Sequence, residues 1–113
     1  MISGLLEIEI MNSVWALQAI DEDMNISVAE VVKHLEDNGT KRAYTTIKTV
    51  MDRLTSKDLL VRYRDGKKFY YKSTFDKEEV AKETLKEVSD QFFNGSYIQM
   101  LRFVEAQCEK LMV

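Results

Sequence analysis

Thr45-Thr46-Ile47-Lys48-Thr49-Val50-Met51-Asp52-Arg53-Leu54 sets two chemistries on one helical pitch. Ile47, Val50, Met51 and Leu54 recur at the spacing of a single helix face and form an apolar stripe. The opposite face carries Thr45, Thr46, Lys48, Thr49 and Arg53. Short hydroxyls and cations suit phosphate oxygens and base edges. Two strands are predicted directly downstream, Leu59 to Arg64 and Lys68 to Ser73, joined by Asp65-Gly66. Asp-Gly signals a hairpin turn because both residues tolerate positive φ. The tip carries Lys67 and Lys68, placed to reach a phosphate or a minor groove. A hydroxyl-rich helix followed by a basic hairpin is the pattern of a winged helix-turn-helix that reads DNA.

Upstream, Leu5 to about Ile20 reads as a helix, with Ile8, Met11, Val14 and Trp15 on one face and Trp15 as core anchor. Asp21 to Asn25 is an acidic loop. Ser27-Val28-Ala29-Glu30 is a capping box, in which the Ser27 hydroxyl takes an orphan amide and Glu30 reaches back. It opens a helix to about Asp37 that buries Val28, Val31, Val32 and Leu35. Asn38-Gly39 stops it, since glycine accepts the left-handed end conformation. The third helix then runs from about Ala43 to Lys57. In the hairpin, Leu59 and Val61 point one way, and Phe69 and Tyr71 share a face opposite to Tyr70 and Lys72.

Downstream, Asp76 caps a fourth helix that ends near Phe93, and Asn94-Gly95-Ser96 breaks it from a fifth, about Ser96 to Leu111. Val80, Leu85, Val88 and Phe92 stripe the fourth; Ile98, Leu101, Val104, Cys108 and Leu111 stripe the fifth. A small domain has limited surface on which to bury both. A dimer interface at Val80, Val88, Phe92, Ile98, Leu101, Val104 and Cys108 is the expectation; packing on their own domain is the alternative. The fold class is therefore mostly α with a small β-hairpin: a winged helix-turn-helix over 1–75 and C-terminal dimerisation helices over 76–113.

Charge narrows the function. The chain of 113 residues has a net charge of −3, but unevenly spread. Residues 40–72 hold ten cations against three acids, a net of +7 between two acidic ends. A localised basic segment is an electrostatic footprint for nucleic acid, although a solvated charged face has the same composition. Lys41, Arg42, Lys48, Arg62, Arg64, Lys67 and Lys68 are the candidates for neutralising phosphates and releasing counterions. Lys48 suits a guanine edge. No cofactor is expected and no enzyme either: His34 is the only histidine, on the solvent side of its helix, and no glycine-rich phosphate loop or metal spacing is present. No apolar run approaches the ~20 residues that span a bilayer. The start of the chain lacks the features of a signal peptide, and a single cysteine fits a reducing compartment, so the expected location is the cytoplasm.

Four pieces in order resemble the BlaI/MecI/CopY (penicillinase repressor) family of bacterial regulators: Glu7-Ile8-Glu9-Ile10-Met11-Asn12-Ser13-Val14-Trp15; Thr46 to Leu54, close to the family's Thr-x-x-Thr-x-x-x-Arg-Leu; Lys68-Phe69-Tyr70-Tyr71; and Phe93-Asn94-Gly95-Ser96 with Leu101 and Phe103-Val104-Glu105. The resemblance implies a winged-helix repressor that holds a palindromic operator of double-stranded DNA as a homodimer. It implies recognition contacts at Thr45, Thr46, Lys48 and Thr49. Arg53 either ties the helix to its domain or reaches a phosphate. Two departures stand out. Beta-lactam-responsive members are cut by a membrane sensor protease between an Asn and a Phe, and here the aligned pair is Arg102-Phe103. Copper-responsive members end in a cysteine cluster, and this chain has Cys108 alone. Two further readings are open. One is a winged helix that binds a protein instead of DNA. The other is a regulator whose Phe92, Phe93, Tyr97 and Phe103 line a ligand pocket.

Overall fold

The computed structural model describes residue 2 and residues 4–111. Met1, Ser3, Met112 and Val113, at the outer ends of the two expected domains, lie outside the described residues. The element order is α1 (Leu5–Ile20), α2 (Val28–Asp37), α3 (Tyr44–Ser56), β1 (Leu60–Asp65), β2 (Lys68–Ser73), α4 (Lys77–Phe92) and α5 (Tyr97–Leu111). The chain divides into two compact units, residues 1–77 and 78–113.

In the first unit, α1, α2 and α3 pack on one another, β1 packs on α3, and β2 on α1. The core is Ile10, Met11, Val14, Ile26, Val28, Val31, Leu35, Ile47, Val50, Met51, Leu54, Leu59, Leu60 and Tyr71. The α3 stripe is buried as its spacing predicts. On α1 the expected face is half right: Met11 and Val14 are buried, but Ile8 is exposed and Trp15 half-buried, while Ile10 takes a core position. That helix is apolar nearly all round, so two stripes compete; the one that wins, Glu7-Ile10-Met11-Val14, contains an acid. Trp15 uses its indole N–H on the Phe75 carbonyl at 3.1 Å. Val32 is half-buried rather than buried. His34 is also half-buried: its Nδ1 lies 2.9 Å from Ser13 Oγ, linking α2 to α1.

Local chemistry sets the helix ends. The capping box forms as expected, with the Glu30 amide donating to Ser27 Oγ at 3.3 Å and the Ser27 amide to Glu30 Oε1 at 3.2 Å. At the end of α2, the Thr40 amide donates to the Leu35 carbonyl at 2.8 Å and Gly39, at φ +93, donates to Glu36. This is a Schellman stop. The same stop closes α3, where the Leu59 amide reaches the Leu54 carbonyl at 3.0 Å and both side chains are buried. There the left-handed residue is Asp58, at φ 62. An L-residue pays a steric cost in that region that glycine does not. Asp58→Gly is expected to raise stability by about 0.5–1 kcal/mol, read as a higher urea midpoint at unchanged slope. A lower midpoint would show that the Asp58 side chain contributes more than its backbone costs.

The hairpin is antiparallel, in the register Leu60↔Ser73 to Asp65↔Lys68. Its turn differs from the expected Asp-Gly. Asp65 pairs with Lys68 as the last strand residue, and Gly66 and Lys67 are the central residues. Only Gly66 has positive φ, the type II′ pattern. Leu59 and Val61, expected to point one way, differ: Leu59 is buried and Val61 exposed, and Leu60 is the buried residue of β1. Ile26 adds a bridge to the outer side of β2, its carbonyl accepting from the Tyr71 amide at 2.8 Å.

The second unit contains α5 and all but the first residue of α4. Phe93 and Phe103 meet at 5.5 Å between ring centroids. Val80 is buried and Val88 half-buried, whereas α5 has no buried residue. Among the described residues no helix is long and apolar enough to cross a membrane.

Candidate nucleic-acid interface

Burying the α3 stripe turns the rest of the helix outward. Thr45, Thr46, Lys48, Thr49 and Arg53 are all exposed, as are Lys41 and Arg42 in the loop that leads in. Arg62, Arg64, Lys67 and Lys68 are exposed on the wing. Two of the cations are positioned by backbone carbonyls: Arg42 donates to Lys41 at 3.0 Å and Arg64 to Gly66 at 3.1 Å. The Thr49 hydroxyl donates to the Thr45 carbonyl at 2.9 Å, which leaves its oxygen able to accept.

The wing meets α3 around a cavity of about 340 Å³. Lys48 and Tyr44 line it from α3, Arg62, Lys68 and Phe69 from the wing, and Ser27 to Ala29 from the start of α2. Three cations therefore converge beside a helix N-terminus, where backbone amides and the helix dipole favour an anion. Pairing Arg62 with Tyr71 and Arg64 with Phe69 puts these four side chains on one face. The Arg62 guanidinium lies 4.5 Å from the Phe69 ring centre, a cation–π contact that holds a long side chain near the cavity.

Asp52 is the one acid in this group, and the sequence pattern assigns it no role. Its Oδ2 accepts from Lys48 Nζ at 2.9 Å, its Oδ1 accepts from the Tyr71 hydroxyl at 3.2 Å, and Arg62 stands at 3.9 Å. The hydrogen bond from Lys48 holds the Asp52 carboxyl below its usual range, with Tyr71 and Arg62 adding to the effect. The same bond holds the Lys48 ammonium above its usual range. The i, i+4 spacing of Lys48 and Asp52 is legible in the sequence. The Tyr71 and Arg62 contacts depend on the wing folding back.

Arg53 leaves this group. Its Nε lies 3.5 Å from Glu7, which also accepts from Lys57 at 2.8 and 3.1 Å. A second polar link joins the wing to the loop before α2. Tyr63 donates to Asn25 at 2.7 Å, and Asn25 donates to Asp65 at 3.1 Å. In the second unit, Phe92, Ile98, Leu101, Val104 and Cys108 are exposed.

The chain is similar to known proteins. The family model described as Penicillinase repressor matches residues 3–111. A penicillinase repressor of Staphylococcus aureus is 24% identical over 92 residues, covering 81% of this chain and 68% of its own length. The solution structure of Bacillus licheniformis BlaI, in its monomeric form in complex with the blaP half-operator, matches at 28% identity and TM-score 0.51, over 70% of this chain and 87% of that one. The ferric uptake regulator of Francisella tularensis with iron matches at 14% identity and TM-score 0.50, over 81% and 80% of the two chains, a likeness of fold alone.

Proposed function

This chain belongs to the penicillinase repressor family, and on that premise we propose that it is a DNA-binding transcriptional repressor that holds a palindromic operator as a homodimer. It is a regulator, not an enzyme. The observation that carries the reading is the convergence of Lys48, Arg62 and Lys68 between the exposed hydroxyl face of α3 and the wing. The similar Bacillus licheniformis BlaI, solved in complex with the blaP half-operator, supports it. In this mechanism α3 enters the major groove, and Lys48 and the threonines meet base edges. Lys41, Arg42, Arg62, Arg64, Lys67 and Lys68 track the phosphates. Arg53 braces α3 against Glu7 and offers its exposed edge to the backbone.

The winged-helix domain, 1–75, is followed by the dimerisation region, 76–113. The apolar side chains of α4 and α5 pair two copies and set their recognition helices one duplex turn, about 34–36 Å, or a multiple of it apart. Repression is steric: the dimer covers the operator in the cytoplasm. Release through a membrane sensor protease would require a cut at Arg102-Phe103, a pair that departs from the family's Asn-Phe.

Two variants test the division of labour. Lys48→Ala is expected to weaken operator binding by about 10- to 100-fold, the worth of a good base contact, and random-duplex binding much less. Lys67→Ala with Lys68→Ala is expected to weaken both and to flatten the slope of log affinity against log salt by about two. Equal losses on every duplex for Lys48→Ala would refute its base-reading role.

A further inference from the structure

The reading of Lys48 as a base contact leaves an acid unexplained. Asp52 lies on the DNA-facing side of α3, where a carboxylate repels every phosphate. Each of its carboxylate oxygens has a donor. Tyr71, almost wholly buried, donates to Oδ1, and that bond sets Oδ2 at 2.9 Å from the Lys48 ammonium. We propose that Asp52 is a positioning residue for base recognition, holding Lys48 by one of its three N–H groups so that the other two are presented to the major groove.

This rests on the DNA-binding reading above, and three physical points support it. A lysine head is a rotatable point charge on a flexible stem, so ordering it costs binding energy. The Tyr71–Asp52–Lys48 chain meets that cost before DNA arrives. An ammonium with one N–H committed to Asp52 keeps two for the O6 and N7 acceptors of a guanine. A carboxylate beside it also penalises binding that gains phosphate contacts alone. Orientation favours the operator and repulsion disfavours random sequence, so both effects widen the ratio between them.

The test uses the full-length protein and measures affinity by fluorescence anisotropy on two duplexes across a salt series. One is the operator selected by the wild type, the other a scrambled sequence. Asp52→Asn is expected to lower operator affinity by about three- to tenfold, the cost of one unordered lysine side chain. On the scrambled duplex, affinity should rise about fivefold near 0.15 M salt, with a slope steeper by about 0.9, because Lys48 becomes free to release one more counterion. Tyr71→Phe leaves the charge in place and removes its anchor. It should lower operator affinity without raising affinity for the scrambled duplex. In a Lys48→Met background, Asp52→Asn should no longer lower operator affinity.

Equal rises on both duplexes would make Asp52 a plain electrostatic brake and overturn the proposal, while wild-type operator binding would leave the repressor reading standing. A wild type that selects no sequence would overturn both.

Discussion

Replacing Leu101 and Val104 together with glutamate is expected to make the protein monomeric and to lower operator affinity by about a hundredfold or more. The expectation comes from α5, fifteen residues with none buried. Leu101 is 56% exposed and Val104 49%, and on the preceding helix Phe92 is 73% exposed. Apolar surface of this kind, on a unit of two helices, is what the proposed dimer would cover. Burying it against a second copy gains about 25 cal/mol per Å². Two glutamates on that surface would bring unpaired charge into the contact, at a cost well above the gain lost. The effect on DNA follows from geometry. In a dimer the second half-site is bound at high effective concentration, and in a monomer it is not. Because both positions are exposed in the single chain, each unit should keep its fold, so an unchanged circular dichroism spectrum is the control. Light scattering at micromolar concentration reads the mass. A variant with dimer mass and wild-type affinity would place the interface elsewhere.

Glu7→Ala is expected to destabilise the winged-helix unit by about 3 kcal/mol, lowering its melting temperature by roughly 12–20 °C for a domain of this size. Glu7 is 1% exposed and sits in the buried stripe of α1 beside Ile10, Met11 and Val14. Lys57 closes on both of its carboxylate oxygens from the end of α3. This is a charge-assisted pair with one member fully desolvated, the kind whose disruption is costly. Arg53, at 3.5 Å with its side chain 54% exposed, adds little by itself. The alanine variant also leaves a void where the carboxylate stem packs. Glu7→Gln keeps the volume and loses the charge, so it should cost about half as much. A melting temperature within 2 °C or so of wild type for Glu7→Ala would mean that α1 is held by its apolar contacts alone.

The same residue shows where reading the sequence reached its limit. Periodicity identified the buried side of α3 because Ile47, Val50, Met51 and Leu54 stand against polar neighbours. On α1 it found Met11 and Val14 but took Ile8 for Ile10 and missed Glu7, because Leu, Ile, Met, Val and Trp occur on every face and the deciding position holds an acid. Helix ends were legible wherever a local device makes them. The Ser27–Glu30 box, Gly39 and Asn94-Gly95 each lie within a residue or two of an observed boundary. The hairpin was legible and its turn type was not, because both Asp65-Gly66 and Gly66-Lys67 are acceptable central pairs until the register chooses. Ile26 escaped notice because a one-residue bridge has no periodicity.

The interface divides in the same way. That Thr45, Thr46, Lys48 and Thr49 face outward follows from the apolar stripe behind them. That Asp52 fastens Lys48, and that Tyr71 fastens Asp52, depends on a wing folded back across nineteen residues of sequence. Membership of the penicillinase repressor family was visible in four short motifs, and the match over residues 3–111 establishes it.

The most direct test of the central claim is selection from a random duplex pool with the full-length protein, followed by anisotropy on the selected sequence at several salt concentrations. A palindromic consensus bound by two chains per duplex is expected, with log affinity falling linearly in log salt at a slope that counts several phosphate contacts. No enrichment, together with binding indifferent to salt, would contradict it and turn attention to the winged helix as a surface for another protein.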